Sequence, residues 1–170
     1  ALLKKLENLF KQKVLENTNN ELKNLYNHDA LTGLYNRVAC NEMVIPMFAE
    51  LEAQNVGCTI VFLDVDDFKD INDTYGHQYG DELLKTVARV LDEQKPEGSM
   101  VYRFGGDEFI ALYPGIIPQH IMDRLKECRE WEEGAPCPFN QVSTGLLLCE
   151  PPHKTIDEIL QQVDHSMYQK

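Results

Sequence analysis

The eight residues Cys58–Val65, CTIVFLDV, constrain the fold more than any other stretch. They form a short, apolar, β-branched run after Gly57, which reads as a buried strand. The run ends in acid: Asp64 and Asp66 flank Val65, and Asp67 follows. A core strand that terminates in carboxylates must bring charge to one edge of a sheet. If the strand continues that far, alternation turns Asp64 and Asp66 the same way.

The flanking sequence supplies the rest of an α+β domain. Asp29-Ala-Leu-Thr-Gly33 has turn chemistry, and Asn36 can cap a helix from Arg37 to about Gln54. Residues 66–80 are polar and include Gly76 and Gly80, and 81–93 has helical periodicity with Asp81 at the N-cap position. Two short strands, 100–104 and 108–113, bracket the turn pair Gly105-Gly106. A helix over 118–131, a strand over 139–149 and a helix over 155–168 complete the order. The expectation is a mostly antiparallel sheet covered by helices.

Charge divides the chain. It carries 16 Lys and Arg against 28 Asp and Glu, a net −12. Such a surface repels phosphate backbones and argues against a general nucleic-acid binder. Residues 1–27 nevertheless hold five Lys and three Glu, a net +2. Leu2, Leu6, Leu9, Phe10, Val14, Leu22 and Leu25 give this segment a narrow apolar stripe, suited to a coiled-coil seam. A boundary is expected between Asn27 and His28, with 1–27 as a signalling helix or linker from an upstream domain. The competing expectation is a helix packed on its own domain. No run reaches the ~20 apolar residues that span a bilayer, and no signal-peptide pattern opens the sequence. Five cysteines (Cys40, Cys58, Cys128, Cys137, Cys149) are odd in number, widely spaced and without a C-x-x-C pair. They read as buried apolar fillers in a reducing cytoplasm.

The acids suggest chemistry. If the 100–113 hairpin lies beside the central strand, Asp64 meets Asp107 or Glu108. Crowded carboxylates repel unless a cation neutralises them. Oxygen-only ligation without His or Cys selects a hard ion such as Mg²⁺ or Mn²⁺, which takes its remaining ligands from water and phosphates. From spacing alone, a metal–nucleotide site and a set of solvated turn acids are both open. Lys69 fits a phosphate contact or a surface lysine. Asn72 and Asp81 fit readers of a guanine edge, or turn and cap residues.

Gly105-Gly106-Asp107-Glu108-Phe109 resembles the signature that names the GGDEF domains, the diguanylate cyclases. Asp29-Ala-Leu-Thr-Gly-Leu-Tyr-Asn-Arg37 is similar to that family's opening motif, and Phe62-Leu-Asp-Val-Asp-Asp-Phe-Lys69 to its metal strand. Ile71-Asn-Asp-Thr-Tyr-Gly-His-Gln-Tyr-Gly-Asp81 resembles its guanine-binding loop. Arg103-Phe-Gly-Gly106 is its usual lead-in, Ser143-Thr-Gly145 sits where it has a Ser-x-Gly strand, and Asp164 to Tyr168 resembles its final helix. The motifs span 28–170 in order. The resemblance implies a palm-like α+β fold, shared in outline with nucleotide cyclases, and condensation of two GTP into cyclic di-GMP with loss of two pyrophosphates. It implies that Asp64, the Val65 carbonyl, Asp107 and Glu108 bind two divalent ions, Mg²⁺ or Mn²⁺. Asp107 would also help deprotonate the attacking hydroxyl. Lys69 would contact phosphate, backbone N–H groups around Asp66, Asp67 and Phe68 would cradle phosphates, and Asn72 and Asp81 would read guanine. One GTP per protomer requires a homodimer, for which a coiled coil at 1–27 is a sensible device. A cytoplasmic domain downstream of a sensor is expected, with no nucleic-acid partner.

Two positions depart from the family pattern. The Arg-x-x-Asp product-inhibition motif is replaced by Pro96-Glu-Gly-Ser99, which predicts no tight binding of cyclic di-GMP there. The phosphate-binding Lys three residues past the final Tyr has no counterpart, because Lys170 stands at the second position; the natural chain is expected to continue. The main competing function is a catalytically silent GTP-binding module. A cyclase accepting ATP and a polymerase palm rank lower, the first because Asp81 is present and the second because of length and charge.

Overall fold

The computed structural model describes residues 1–115, 142–152, 154–155, 157–159 and 161–162. Its elements are α1 (Leu2–Asn27), α2 (Arg37–Ala53), β1 (Cys58–Val65), α3 (Phe68–Tyr75), α4 (His77–Gln94), β2 (Met100–Arg103), β3 (Glu108–Pro114) and β4 (Val142–Cys149). The four strands form one sheet in the order β2-β3-β1-β4, and every pairing is antiparallel.

Strand β1 is central and covered on both faces, which explains why its sequence is apolar throughout instead of alternating. Val61, Leu63 and Val65 point to one side and pack with Leu83, Leu84, Val87 and Leu91 of α4. Cys58, Ile60 and Phe62 point to the other side and pack with Cys40, Val44, Phe48 and Leu51 of α2. Asp64 shares the parity of this second set. Helix α2 starts where expected, with Asn36 Oδ1 accepting from the Ala39 N–H at 2.9 Å. Cys40, Cys58 and Cys149 are buried free thiols, and burial pushes the first two up to about 12, so they act as inert filler. Cys128 and Cys137 lie outside the described residues.

The region 66–81 folds more regularly than its polarity suggests. Two helices, α3 and α4, occupy it, joined at Gly76, whose φ of 90° only glycine adopts freely. Asp81 is therefore not an N-cap. Gly76 holds that position, and Asp81 lies inside the first turns of α4. The propensity cost of the polar residues is outweighed by burial of Leu83, Leu84, Val87 and Leu91 along one helix face.

Helix α1 buries no residue. Leu2, Leu6, Phe10, Leu22 and Leu25 are all exposed along it. No helix among the described residues is long and apolar enough to cross a membrane. The expected helix over 118–131, the start of the expected strand over 139–149 and most of the final helix lie outside the described residues. Of that final helix, 157–159 and 161–162 are helical.

Candidate active site

The acids meet at one end of the sheet. Register places Asp64 directly opposite Glu108 on β3 and Ser143 on β4, so all three share a face. The Val65 N–H donates to the Asp107 carbonyl at 3.2 Å, which ties the end of β1 to the turn before β3. Strand β1 stops at Val65, but Asp66 still comes to the same place, because the Ser143 hydroxyl donates to its Oδ1 at 2.6 Å. An open cleft of about 410 Å³ results, lined by Asp64, Asp66, Asp67, Lys69, Asp107 and Ser143, among others. Its size suits a small polar ligand.

Electrostatics mark Asp64 as the strained member. Burial, then Asp107, Glu108 and Asp66, push its carboxyl up to about 6. Among the described residues, no three His, Cys, Asp or Glu side chains are arranged to hold a metal ion unaided. The donor set is nonetheless all oxygen and carries the like-charge repulsion that a cation relieves. It fits a hard divalent ion that completes its shell with water and substrate oxygens.

The structure brings together Asp64, Val65, Asp67, Phe68, Lys69 and Asp107 around the cleft. Glu108 does not line it: the side chain is exposed, with its carboxylate folded over Gly105, and it reaches the cluster only through its charge on Asp64. Asn72 and Asp81 do not line the cleft. They lie farther along α3 and α4, on either side of the Gly76 corner. Asp67 takes left-handed backbone angles (φ 54°, ψ 26°) at the start of α3, and the first residues of that helix, Phe68, Lys69 and Asp70, line the cleft.

Two residues sit in motifs, but their contacts are not legible from the motifs. Ser143 is the partner of Asp66, and its signal was only the Ser-x-Gly pattern. Arg103 donates from Nε and Nη2 to the Gly106 carbonyl at 3.2 and 2.7 Å, and from Nη1 to both oxygens of Asp29. The glycine turn is thereby fastened to the segment that follows α1. Nearby, Arg37 lies over the Phe104 ring, 4.6 Å from its centroid.

Comparison with known proteins matches this frame. Residues 26–170 fit the sequence model of the family described as diguanylate cyclase, GGDEF domain. The chain is similar to the diguanylate cyclase DgcM of Escherichia coli, 31% identical over 96% of this chain and 40% of that protein. It is also similar to the cyclic di-GMP phosphodiesterase NbdA of Pseudomonas aeruginosa, 36% identical over 66% of this chain and 15% of that protein. The chain thus spans well under half the length of both relatives. Among solved structures, the coiled coil and GGDEF domain of DgcB from Caulobacter crescentus shares the fold, with a TM-score of 0.83 at 22% identity, covering 95% of this chain and 89% of that one. A sensory box/GGDEF family protein from the same organism aligns with a TM-score of 0.68 at 30% identity, covering 84% of this chain and 96% of that one.

Proposed function

The chain belongs to the GGDEF-domain family of diguanylate cyclases, and from that footing we propose that it condenses two GTP into cyclic di-GMP, releasing two pyrophosphates. The observation that carries this reading is the convergence of Asp64, Asp66 and Asp107 on one cleft beside Lys69. Asp64, the Val65 carbonyl, Asp107 and Glu108 would hold two divalent ions, Mg²⁺ or Mn²⁺. When bound, such ions neutralise the triphosphate and lower the pKa of the attacking 3′-hydroxyl. Asp107 accepts the proton of that hydroxyl. Lys69 and the first N–H groups of α3 hold phosphate oxygens, while Asn72 and Asp81 read the guanine.

The described residues offer one such cleft, so in this reading the 3′-hydroxyl that attacks each α-phosphate comes from the GTP of a second protomer. Two domains must face each other, and catalysis depends on how they are held. The exposed apolar stripe of α1 supports pairing through that helix. In this reading residues 28–170 are the cytoplasmic catalytic domain of a larger signalling protein, and 1–27 relay the state of an upstream sensor.

A second reading is a silent GTP-binding module. It is favoured by one observation: relatives named phosphodiesterases, NbdA among them, match this chain. Incubation of GTP with Mg²⁺ or Mn²⁺ at several protein concentrations, scoring cyclic di-GMP and pyrophosphate, separates the two. Product that rises faster than linearly with protein and is lost in Asp107→Ala supports the cyclase. GTP binding without product at any concentration supports the silent module.

A further inference from the structure

Resting on the guanine-reading role proposed above for Asn72 and Asp81, we infer that Gly80 is a positioning residue that sets base specificity by fixing the amide of Asn72. Helices α3 and α4 close on each other immediately after the Gly76 corner, and Gly80 is buried where they touch. A Cβ on Gly80 would lie 2.0 Å from Asn72 Oδ1, 3.0 Å from its Cγ and 3.1 Å from Cε2 of Phe68. The amide oxygen therefore rests directly on the Gly80 backbone, with the Phe68 ring beside it. That oxygen is buried and has no hydrogen-bond partner. An unpaired buried acceptor is unfavourable, so hydrogen bonding does not hold it there. Packing does, and packing at this point exists only because residue 80 has no side chain.

The consequence concerns which end of the amide meets a base. With Oδ1 turned into the helix contact, the Nδ2 donor is left for the ligand. Guanine presents acceptors at O6 and N7, whereas adenine presents an amino donor at the equivalent of O6. A fixed donor favours guanine. A side chain at position 80 pushes the amide tip out of the contact and frees it to turn its oxygen toward a base, which suits adenine.

The test is binding of GTP and ATP by the protein with Mg²⁺, together with steady-state kinetics. Gly80→Ala is expected to weaken GTP binding about tenfold, the scale of one lost hydrogen bond. ATP binding should hold, so the GTP-over-ATP preference shrinks by the same factor. The loss belongs in KM, with kcat at saturating GTP within about twofold of the parent. Asn72→Ala is expected to do the same, and the double variant should match Asn72→Ala, because the colliding amide is gone. Gly80→Ala that binds GTP like the parent overturns the inference. So does a double variant at least tenfold weaker than Asn72→Ala. If Gly80→Ala does not fold, the double variant decides: folding and binding like Asn72→Ala support the inference, and failure to fold overturns it. A parent that binds no GTP shows instead that the proposed function is wrong, before any variant is compared.

Discussion

Asp29 and Arg103, 74 residues apart in sequence, form a two-bond ion pair, with Nη1 at 2.9 and 3.1 Å from the two carboxylate oxygens. The same guanidinium holds the Gly106 carbonyl. The residue that follows α1 almost directly is thus one side chain away from the turn that carries Asp107 and Glu108. Around it, Asn36 Nδ2 donates to the Tyr26 carbonyl at 2.7 Å, and His28 stacks on Tyr35 with ring centroids 4.5 Å apart. The end of α1 is fastened to the domain at several points, which gives a change at that helix a physical route to the site.

Removing this pair should cost both stability and turnover. Its side chains are 14% and 23% exposed, so Asp29→Ala strands a mostly buried guanidinium and should cost about 2 kcal/mol in urea unfolding. Burial alone would raise the Asp29 carboxyl, but the Thr32 hydroxyl, Arg103 and the Thr32 N–H outweigh it and hold it below its usual 3.8. A depressed acid stabilises the fold above its unfolded value and loses that contribution as pH falls through the folded value. The difference between parent and Asp29→Ala should therefore be flat above about pH 5 and vanish well below pH 4. Arg103→Lys should keep less than half of what the pair contributes, because a single ammonium cannot serve Asp29 and Gly106 in one plane.

Asp64 predicts the opposite sign. Its carboxyl is pushed up to about 6 by burial, then by Asp107, Glu108 and Asp66. The folded state then binds the proton more tightly than the unfolded chain, and stability falls as pH rises between about 4 and 6. In metal-free protein, Asp64→Asn should be more stable than the parent above pH 6. Screening by solvent limits the gain to on the order of 1 kcal/mol. The gain should disappear below about pH 4, and cyclase activity should be lost throughout. Equal melting temperatures for the two proteins at pH 7.5 would remove the basis for this prediction.

Chelation provides a direct check on the carboxylate cluster. EDTA should abolish product formation, and Mg²⁺ or Mn²⁺ should restore it. GTP with metal should raise the melting temperature, and GTP in EDTA should not, because in the proposed function the nucleotide would complete the ion's shell.

The segment Pro96-Glu-Gly-Ser99 forms a tight turn, with the Ser99 N–H donating to the Pro96 carbonyl at 3.1 Å. It offers neither an arginine nor a carboxylate at the ends of the motif. Cyclic di-GMP added at tens of micromolar should leave the initial rate unchanged. Product inhibition at that concentration would show that another surface binds it.

Much of the site's composition was readable in the chain. Asp64, Lys69, Asp107 and Ser143 all fall on motifs, and β1 and the start of α2 came out at their observed positions. Local chemistry is sufficient there: a β-branched apolar run and an Asn followed by helix formers each state their own structure. The region around Gly76 and Gly80 was less legible. Its polar residues resemble a loop until α4 has a core to pack against, and Asp81 resembles a cap until Gly76 takes that position.

By itself, the sequence determined the strand that carries the acids, the turn that follows β2, the helical character of α1, α2 and most of α4, and the family to which these belong. Only the tertiary structure decided which groups face one another. Asp64 stands across from Glu108 because β1 and β3 pair in that register and not one residue away, where every side chain would change face. Ser143 reaches Asp66 and Arg103 reaches Asp29 because distant segments are brought together by burial of the two faces of one sheet. Asn72 rests on Gly80 because two helices meet at the one position with no side chain. Periodicity and propensity act over a few residues, whereas these contacts depend on packing across the whole domain.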